Sequence, residues 1–302
     1  MEKIGVVTVT YNSENVIKPF LENLYAQSFT NFNLYIIDNA STDSTLDILN
    51  NLNDNRICQI RNENNLGVAA ANNIGIKKAL SDKCTHVLIA NNDIEFNIKL
   101  LENMLSSFKK NNCGLVTPKI MYYNDKNKIW YAGGGFKKSN GYLPYHNGFN
   151  QNQTDLEYQS CYVDYAPTCC LLVKSEVFKE IGLMDEKYFV YFDDTDFMYR
   201  IKKNKKYKLF YDSHYCIFHK VGSLTKSIQY DKENNFKSDF FLKQNTRNHV
   251  YFLRKNISVY NYMFCFFLFI KNNLRFFFSS RIKKDISTFL LINKSYFKGW
   301  FL

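Results

Sequence analysis

The chain is poor in the two residues that punctuate flexible sequence: 12 glycines and 4 prolines in 302 residues. That leaves no composition for a low-complexity linker, and no internal repeat recurs at a useful period. None of the eight cysteines stand as C-x-x-C, which excludes a zinc knuckle or a thioredoxin-type redox pair. The amino terminus runs from Met1 straight into an apolar strand-like segment with no signal-peptide core, so free thiols in a reducing cytoplasm are expected. Long hydrophobic runs are missing too. The apolar stretch from Tyr262 to Ile270 falls far short of the ~20 residues a spanning helix needs. There is no G-x-G-x-x-G after a strand, so a dinucleotide-dependent dehydrogenase finds no support.

What is present suits one folded catalytic unit with an appendage. Hydrophobic residues make up 46% and charged residues 22%, an ordinary balance for a globular protein. Ile4–Val9 reads as a buried parallel strand, and Val16, Ile17, Phe20, Leu21 and Leu24 fall at helical spacing. Strands follow at Leu34–Ile37, Ile57–Ile60 and His86–Ala90. Helices are expected from about Ser44, where Ser44 and Asp47 form a capping-box pattern, over Val68–Leu80 and over Asn97–Lys109. Repeated βα units predict an α/β fold: a mostly parallel sheet flanked by helices, with ligands at the carboxyl ends of the strands. Residues 115–159, with a Gly133-Gly134-Gly135 run, read as an insertion over the site. Cys169–Lys174 returns to a strand and Ser175–Ile181 to a helix, and beyond Phe236 the pattern is helical.

Polar clusters stand at the predicted strand ends: Thr10-Tyr11-Asn12-Ser13, Asp38-Asn39-Ala40-Ser41-Thr42-Asp43 and Asn91-Asn92-Asp93. Singly, each is most often a turn and a helix cap. Together they line one edge of a sheet. The run from Asn65 to Gly75, containing Gly67 and Asn72, puts small residues at a helix start, where backbone can approach a diphosphate. Asp193-Asp194-Thr195-Asp196 places three carboxylates just before the helical pattern of Phe197–Ile201. Acidic capping would explain them. Mutual repulsion and the aromatics Tyr188, Phe189, Tyr191 and Phe192, however, would raise a carboxyl toward what a general base needs. His219, ahead of Gly222 and Ser223, is either structural or a metal or phosphate contact.

In this order the motifs resemble the family 2 glycosyltransferases, inverting enzymes of GT-A fold. The likeness runs from about residue 3 to 223 and weakly on through Thr246-Arg247-Asn248. That last element and Tyr131-Ala132-Gly133-Gly134-Gly135 look most like the bacterial rhamnosyltransferase branch. The resemblance implies a catalytic domain over 1–236, with a nucleotide half to about 115 and an acceptor and base half after it. A helical section would occupy 237–302. Asp38 and Asn39 would reach the base or ribose of a nucleotide-sugar donor, with Thr8 and Tyr11 as one wall. Asn91-Asn92-Asp93 would occupy the family's Asp-x-Asp position, where Mg²⁺ or Mn²⁺ bridges the donor diphosphate. Only Asp93 is an acid there, so Asp93 and His219 would be the main protein ligands, with Asn91 and Asn92 as neutral oxygen donors. Asp194 would be the general base and Asp193 its tuning neighbour. The donor expected is dTDP-rhamnose or a UDP-hexose. The acceptor expected is a glycan, lipid-linked, of a bacterial surface polysaccharide. A sugar nucleotidyltransferase and a non-catalytic glycan- or nucleic-acid-binding protein are the alternatives.

The charge is uneven. From Phe241 to Leu302 eleven Lys or Arg face one acid, Asp285, among many aromatics. This composition predicts peripheral attachment to the anionic inner face of the cytoplasmic membrane, with no nucleic acid as partner. Packing of Phe266, Phe269 and Leu274 over the catalytic domain is the rival expectation.

Overall fold

A computed structural model describes residues 1–154, 158–222, 229–230, 236–257 and 261–302; Ser223 lies outside them. Twelve strands and nine α-helices are described. The first half alternates β1 (Ile4–Thr10), α1 (Ile17–Tyr25), β2 (Phe32–Asp38), α2 (Thr45–Asn50), β3 (Ile57–Arg61), α3 (Val68–Ser81) and β4 (His86–Ala90). It continues with β5 (Ile94–Phe96) and α4 (Leu100–Lys110). The run Ile-Gly-Val-Val-Thr-Val forms β1 because it is apolar on both faces, and both faces are covered. Gly75 lets α3 lie directly on β1, since a Cβ there would stand 2.4 Å from Val7 Cγ1.

The second half adds β6 (Leu115–Tyr122), β7 (Ile129–Tyr131), β8 (Gly134–Lys137), β9 (Leu143–His146), β10 (Cys161–Val163) and β11 (Cys170–Lys174). After these come α5 (Ser175–Ile181), α6 (Asp193–Asn204) and β12 (Leu209–His219). The main sheet runs β10-β12-β6-β11-β4-β1-β2-β3, with β5 paired to β12 and β7 to β6. Strands β4, β1, β2 and β3 are mutually parallel, as are β6 and β12, while β11 runs antiparallel between the two groups. The stretch expected as an insertion therefore supplies β6, a central strand buried along most of its length. Its alternation was broken by Pro118 and by polar loops, which masked a core strand as a surface excursion. The glycine run forms a close hairpin: a Cβ on Gly134 would meet the Tyr145 carbonyl at 2.3 Å.

Three helices close the chain: α7 (Asp239–Asn256), α8 (Asn261–Phe278) and α9 (Ile286–Trp300). Buried residues of α7 form a second core with Tyr188 and Phe192, apart from the core of the sheet. Phe266 and Leu274, expected to cover the catalytic domain, are exposed instead, while Phe269 packs among the tail helices. No described helix is long and apolar enough to cross a membrane. All eight cysteines are free.

The start of α2 differs from the capping-box expectation. Ser44 makes no side-chain cap. Glu14, from the turn after β1, accepts from the Ser44 N–H at 3.0 Å, and Asp43, just ahead of the helix, accepts from the Thr45 N–H at 3.0 Å.

Candidate active site

Parallel β1, β2 and β4 end at one edge of the sheet, and because β11 is antiparallel its beginning lies there too, with Cys170 opposite Ala90. The turn after β4 thus meets the segment leading into β11, and the Asn91 N–H donates to the Cys169 carbonyl at 3.0 Å. Strand β12 arrives from the other side, placing His219 opposite Ile94.

At the donor end, the expected base-and-ribose residues are engaged by neighbouring groups. Asp38 accepts from Thr10 Oγ1 at 2.8 Å, Ser41 Oγ at 2.6 Å and Ser41 N–H at 3.0 Å. Asn39 donates to Asn65 Oδ1 and the Gly67 carbonyl and accepts from Asn62 Nδ2 and the Leu66 N–H. Both are buried. Tyr11, after β1, is 40% exposed. Thr8 is buried in β1, and its hydroxyl has no hydrogen-bond partner among the described residues.

Gly67 has φ +84° at the cap of α3, but it faces protein. A Cβ there would stand 2.3 Å from the Phe189 carbonyl, which accepts from the Val68 N–H at 2.7 Å. The small residues at this helix start admit the Phe189 backbone. Asn72 is buried on the same helix.

The metal-side residues converge. Asp93 and His219 are 4% and 7% exposed, with His219 Nε2 3.2 Å from Asp93 Oδ1. Two ligands on adjacent corners of an octahedron with bonds of about 2.1 Å lie about 3.0 Å apart, so this pair fits one cation. Asn92 is buried beneath them, donating to the Val9 carbonyl and Ser13 Oγ, and its Oδ1 has no hydrogen-bond partner among the described residues. Asn91 is exposed. Among the described residues no three His, Cys, Asp or Glu side chains form a metal cluster, so the protein offers an open pair, not a cage.

The carboxylates at 193–196 sit inside the first turn of α6, earlier than the expected helix start. Their positions separate their roles. Asp196 is fully buried and bound to Arg200 Nε at 2.8 Å, Lys255 Nζ and Asn256 Nδ2 at 2.8 Å, an internal tie between α6 and α7. Asp193 is buried, and burial first, then the charge of Asp194, push its carboxyl well above the usual range. Asp194 is half-buried. Its Oδ1 accepts from the Thr195 N–H at 2.6 Å and Oγ1 at 3.0 Å, and its Oδ2 accepts from Tyr165 Oη at 2.7 Å.

A line of rings joins the two acid sites. Trp130 packs edge-on to His219 at 4.9 Å and to His146 at 4.7 Å, and His146 stacks on Tyr165 at 5.8 Å between centroids. Burial lowers the basicity of His146, against the pull of the Trp130 carbonyl and Asp194. Tyr165 is pushed well above an ordinary phenol by burial and by Asp194, so it serves as a hydrogen-bond donor that keeps its proton. The buried Cys169 thiol is raised by burial first, then by Cys170, Asp93 and Asp194. Sequence reasoning missed Trp130, His146 and Tyr165. They lie in three separate segments, and no local spacing links them.

The turn before α6 is held from a distance. Tyr191 and Phe192 are both left-handed, at φ 65° and 71°, a costly state for bulky residues. Asn248 Nδ2 on α7 donates to the Val190 and Tyr191 carbonyls at 2.8 and 2.9 Å, and His249 stacks on Phe192 at 5.1 Å. Arg247 donates to the Lys187 carbonyl at 3.0 Å. The Thr246-Arg247-Asn248 element therefore clamps the acid-bearing turn.

The sequence model of glycosyl transferase family 2 matches residues 5–182. A low-salt glycan biosynthesis hexosyltransferase of Haloferax volcanii is 25% identical over 206 residues, 67% of this chain and 62% of its own length. The Escherichia coli enzyme WfaP, a UDP-Glc:alpha-D-GlcNAc-diphosphoundecaprenol beta-1,3-glucosyltransferase, is 35% identical over 79 residues, 26% of this chain and 32% of its own. The chain thus spans less than two thirds of these curated relatives. Among solved structures, S. aureus TarS in complex with UDP-GlcNAc superposes with a TM-score of 0.61 at 18% identity, over 97% of this chain and 79% of TarS. GalNAc-T7 with UDP, GalNAc and Mn²⁺ gives 0.64 at 15% identity, over 100% of this chain and 56% of that one. Likeness at this identity shows the fold, and it is the GT-A fold.

Proposed function

The chain belongs to glycosyl transferase family 2, and from that premise we propose that it transfers a hexose from a nucleoside diphosphate carrier to a glycan hydroxyl, inverting the anomeric centre. The observation that carries this reading is the pairing of two acid sites joined by the line of rings, Asp93 with His219 at one end and Asp194, through Tyr165, at the other. A displacement needs both: one place where leaving-group charge is met, and one where the attacking hydroxyl loses its proton.

Asp194 takes that proton. Three donated hydrogen bonds hold its carboxylate in place, while Oδ2 keeps room to accept from the acceptor sugar. Asp193, pushed toward its neutral form, lowers the repulsion its neighbour would otherwise meet. Asp93 and His219 would hold Mg²⁺ or Mn²⁺, with Asn91 and Asn92 as neutral oxygen donors. The cation would supply charge compensation for the departing nucleoside diphosphate.

For the donor we favour a UDP-hexose. The residues that pointed to dTDP-rhamnose have structural work, Gly134 in a tight hairpin and Arg247-Asn248 in the α6 clamp. UDP or a UDP-sugar is named for TarS, GalNAc-T7 and WfaP. The acceptor is a lipid-linked glycan at the inner face of a bacterial cytoplasmic membrane, a reading supported by the diphosphoundecaprenol acceptor named for WfaP. Residues 1–115 form the donor half and 116–236 the acceptor half.

Release of UDP from UDP-hexoses, followed with Mn²⁺ and with EDTA, tests this. Turnover is expected to need the cation, and Asp93→Ala is expected to lose nearly all of it. Undiminished turnover in EDTA would overturn the metal assignment. Pyrophosphate release from a nucleoside triphosphate would favour a nucleotidyltransferase.

A further inference from the structure

Helices α8 and α9 form an antiparallel pair whose register is fixed by contacts Tyr262 to Trp300, Phe269 to Tyr296, Asn273 to Asn293 and Phe276 to Phe289. Gly299 seats α9 on α7, because a Cβ there would stand 2.2 Å from the Arg247 carbonyl. The outward side of the pair is apolar. On α8, Met263, Phe266, Ile270, Leu274 and Phe277 recur every three or four residues, and each is exposed. On α9 and just past it, Ile286, Leu290, Phe297 and Phe301 follow at steps of four, seven and four, with Lys294 in the wider gap, and range from 52% exposed at Phe297 to 81% at Phe301. Folded proteins seldom leave a patch of this extent bare.

The geometry points to an in-plane membrane face: the α8–α9 pair lies flat on an anionic leaflet, with both stripes sunk to the acyl boundary. Charge selects the occupant. Residues 261–302 hold seven Lys or Arg against Asp285 alone, so two copies of this face would repel, whereas an acidic lipid surface matches it. No described helix can cross, so the pair rests in the interface. Each large apolar side chain buried there contributes more than each cation drawn to the leaflet, and insertion should outweigh attraction. The inference rests on the transferase reading only for its purpose, bringing the site to a lipid-linked acceptor.

Flotation of the full chain with phosphatidylcholine vesicles containing phosphatidylglycerol tests it, beside Phe266→Ser/Phe277→Ser/Leu290→Ser. The native chain is expected to float, to weaken severalfold in high salt without detaching, and to bind at least tenfold better than the triple variant. All three sites are exposed, so the variant should keep its thermal midpoint and its UDP-releasing activity on a soluble acceptor, which separates this test from that of the chemistry. Failure of the native chain to float, equal binding by the variant, or complete release by salt would overturn the insertion. A salt-stable dimer that the triple variant dissolves would make a second copy the occupant.

Discussion

Two acid-bearing turns at the same sheet edge are held in opposite ways. The turn after β2 secures itself: Asp38 and Asn39 bind groups from Thr10, Ser41, Asn62, Asn65, Leu66 and Gly67, all within 30 residues of chain. The turn before α6 does not. Two left-handed aromatics lead into adjacent carboxylates, and the clamp comes from Asn248 and His249, nearly 60 residues on. Polar groups that satisfy one another make architecture. Both carboxylates accept three hydrogen bonds; Asp38 is sealed in the core, whereas Asp194 stays half-buried, within reach of an incoming group.

The sharpest break of this comparison is Asp194→Asn. It keeps shape and removes the proton acceptor, so kcat is expected to fall by roughly 10²–10⁴-fold with donor binding retained. Stopped assays and UDP titration would measure the two separately, and a wild-type kcat would reverse the assignment toward Asp193.

Asp38→Ala tests the self-secured turn. It strands the Thr10 and Ser41 donors in a buried place, which should cost about 2–4 kcal/mol of stability by denaturant titration. A loss of donor affinity at full stability would instead make Asp38 a direct ligand.

Asn248→Ala should cost less stability, about 1–3 kcal/mol, yet lower kcat, because it frees the turn that aims Asp194. A stability loss with kcat untouched would show that α7 does not position the base.

The smallest effect is a pH slope. A carboxyl raised in the fold binds more protons folded than unfolded, so Asp193 makes stability decline as pH climbs from the ordinary carboxyl range toward its raised value. Thermal midpoints of Asp193→Asn across pH should lack that decline.

Much of the fold was legible because its signals are local. The β-branched run of β1, the helical spacing of α1 and the small residues of α3 each need only their own segment to be read. The placing of Asp93, Asp194 and His219 at strand or helix ends was readable in the same way. Other roles were not legible. Nothing near Gly67 says that the Phe189 backbone fills the space above it, and nothing near Asp38 says that it accepts from Thr10 as well as from Ser41. Trp130, His146 and Tyr165 come from loops and strands with no shared spacing, so the line of rings between the two acid sites exists only once β11 turns antiparallel between β4 and β6.

The sequence by itself determined the alternating strands and helices of the first half, which family the order of motifs resembles, and that the carboxyl end is basic and aromatic. Period and composition carry that information along the chain. Tertiary structure decided which polar groups are spent on holding turns and which remain for a substrate. It also decided that α7 braces the acid-bearing turn and that the apolar stripes of α8 and α9 face outward. Those outcomes depend on burial and on partners distant in sequence, and neither is encoded in the spacing of any one segment.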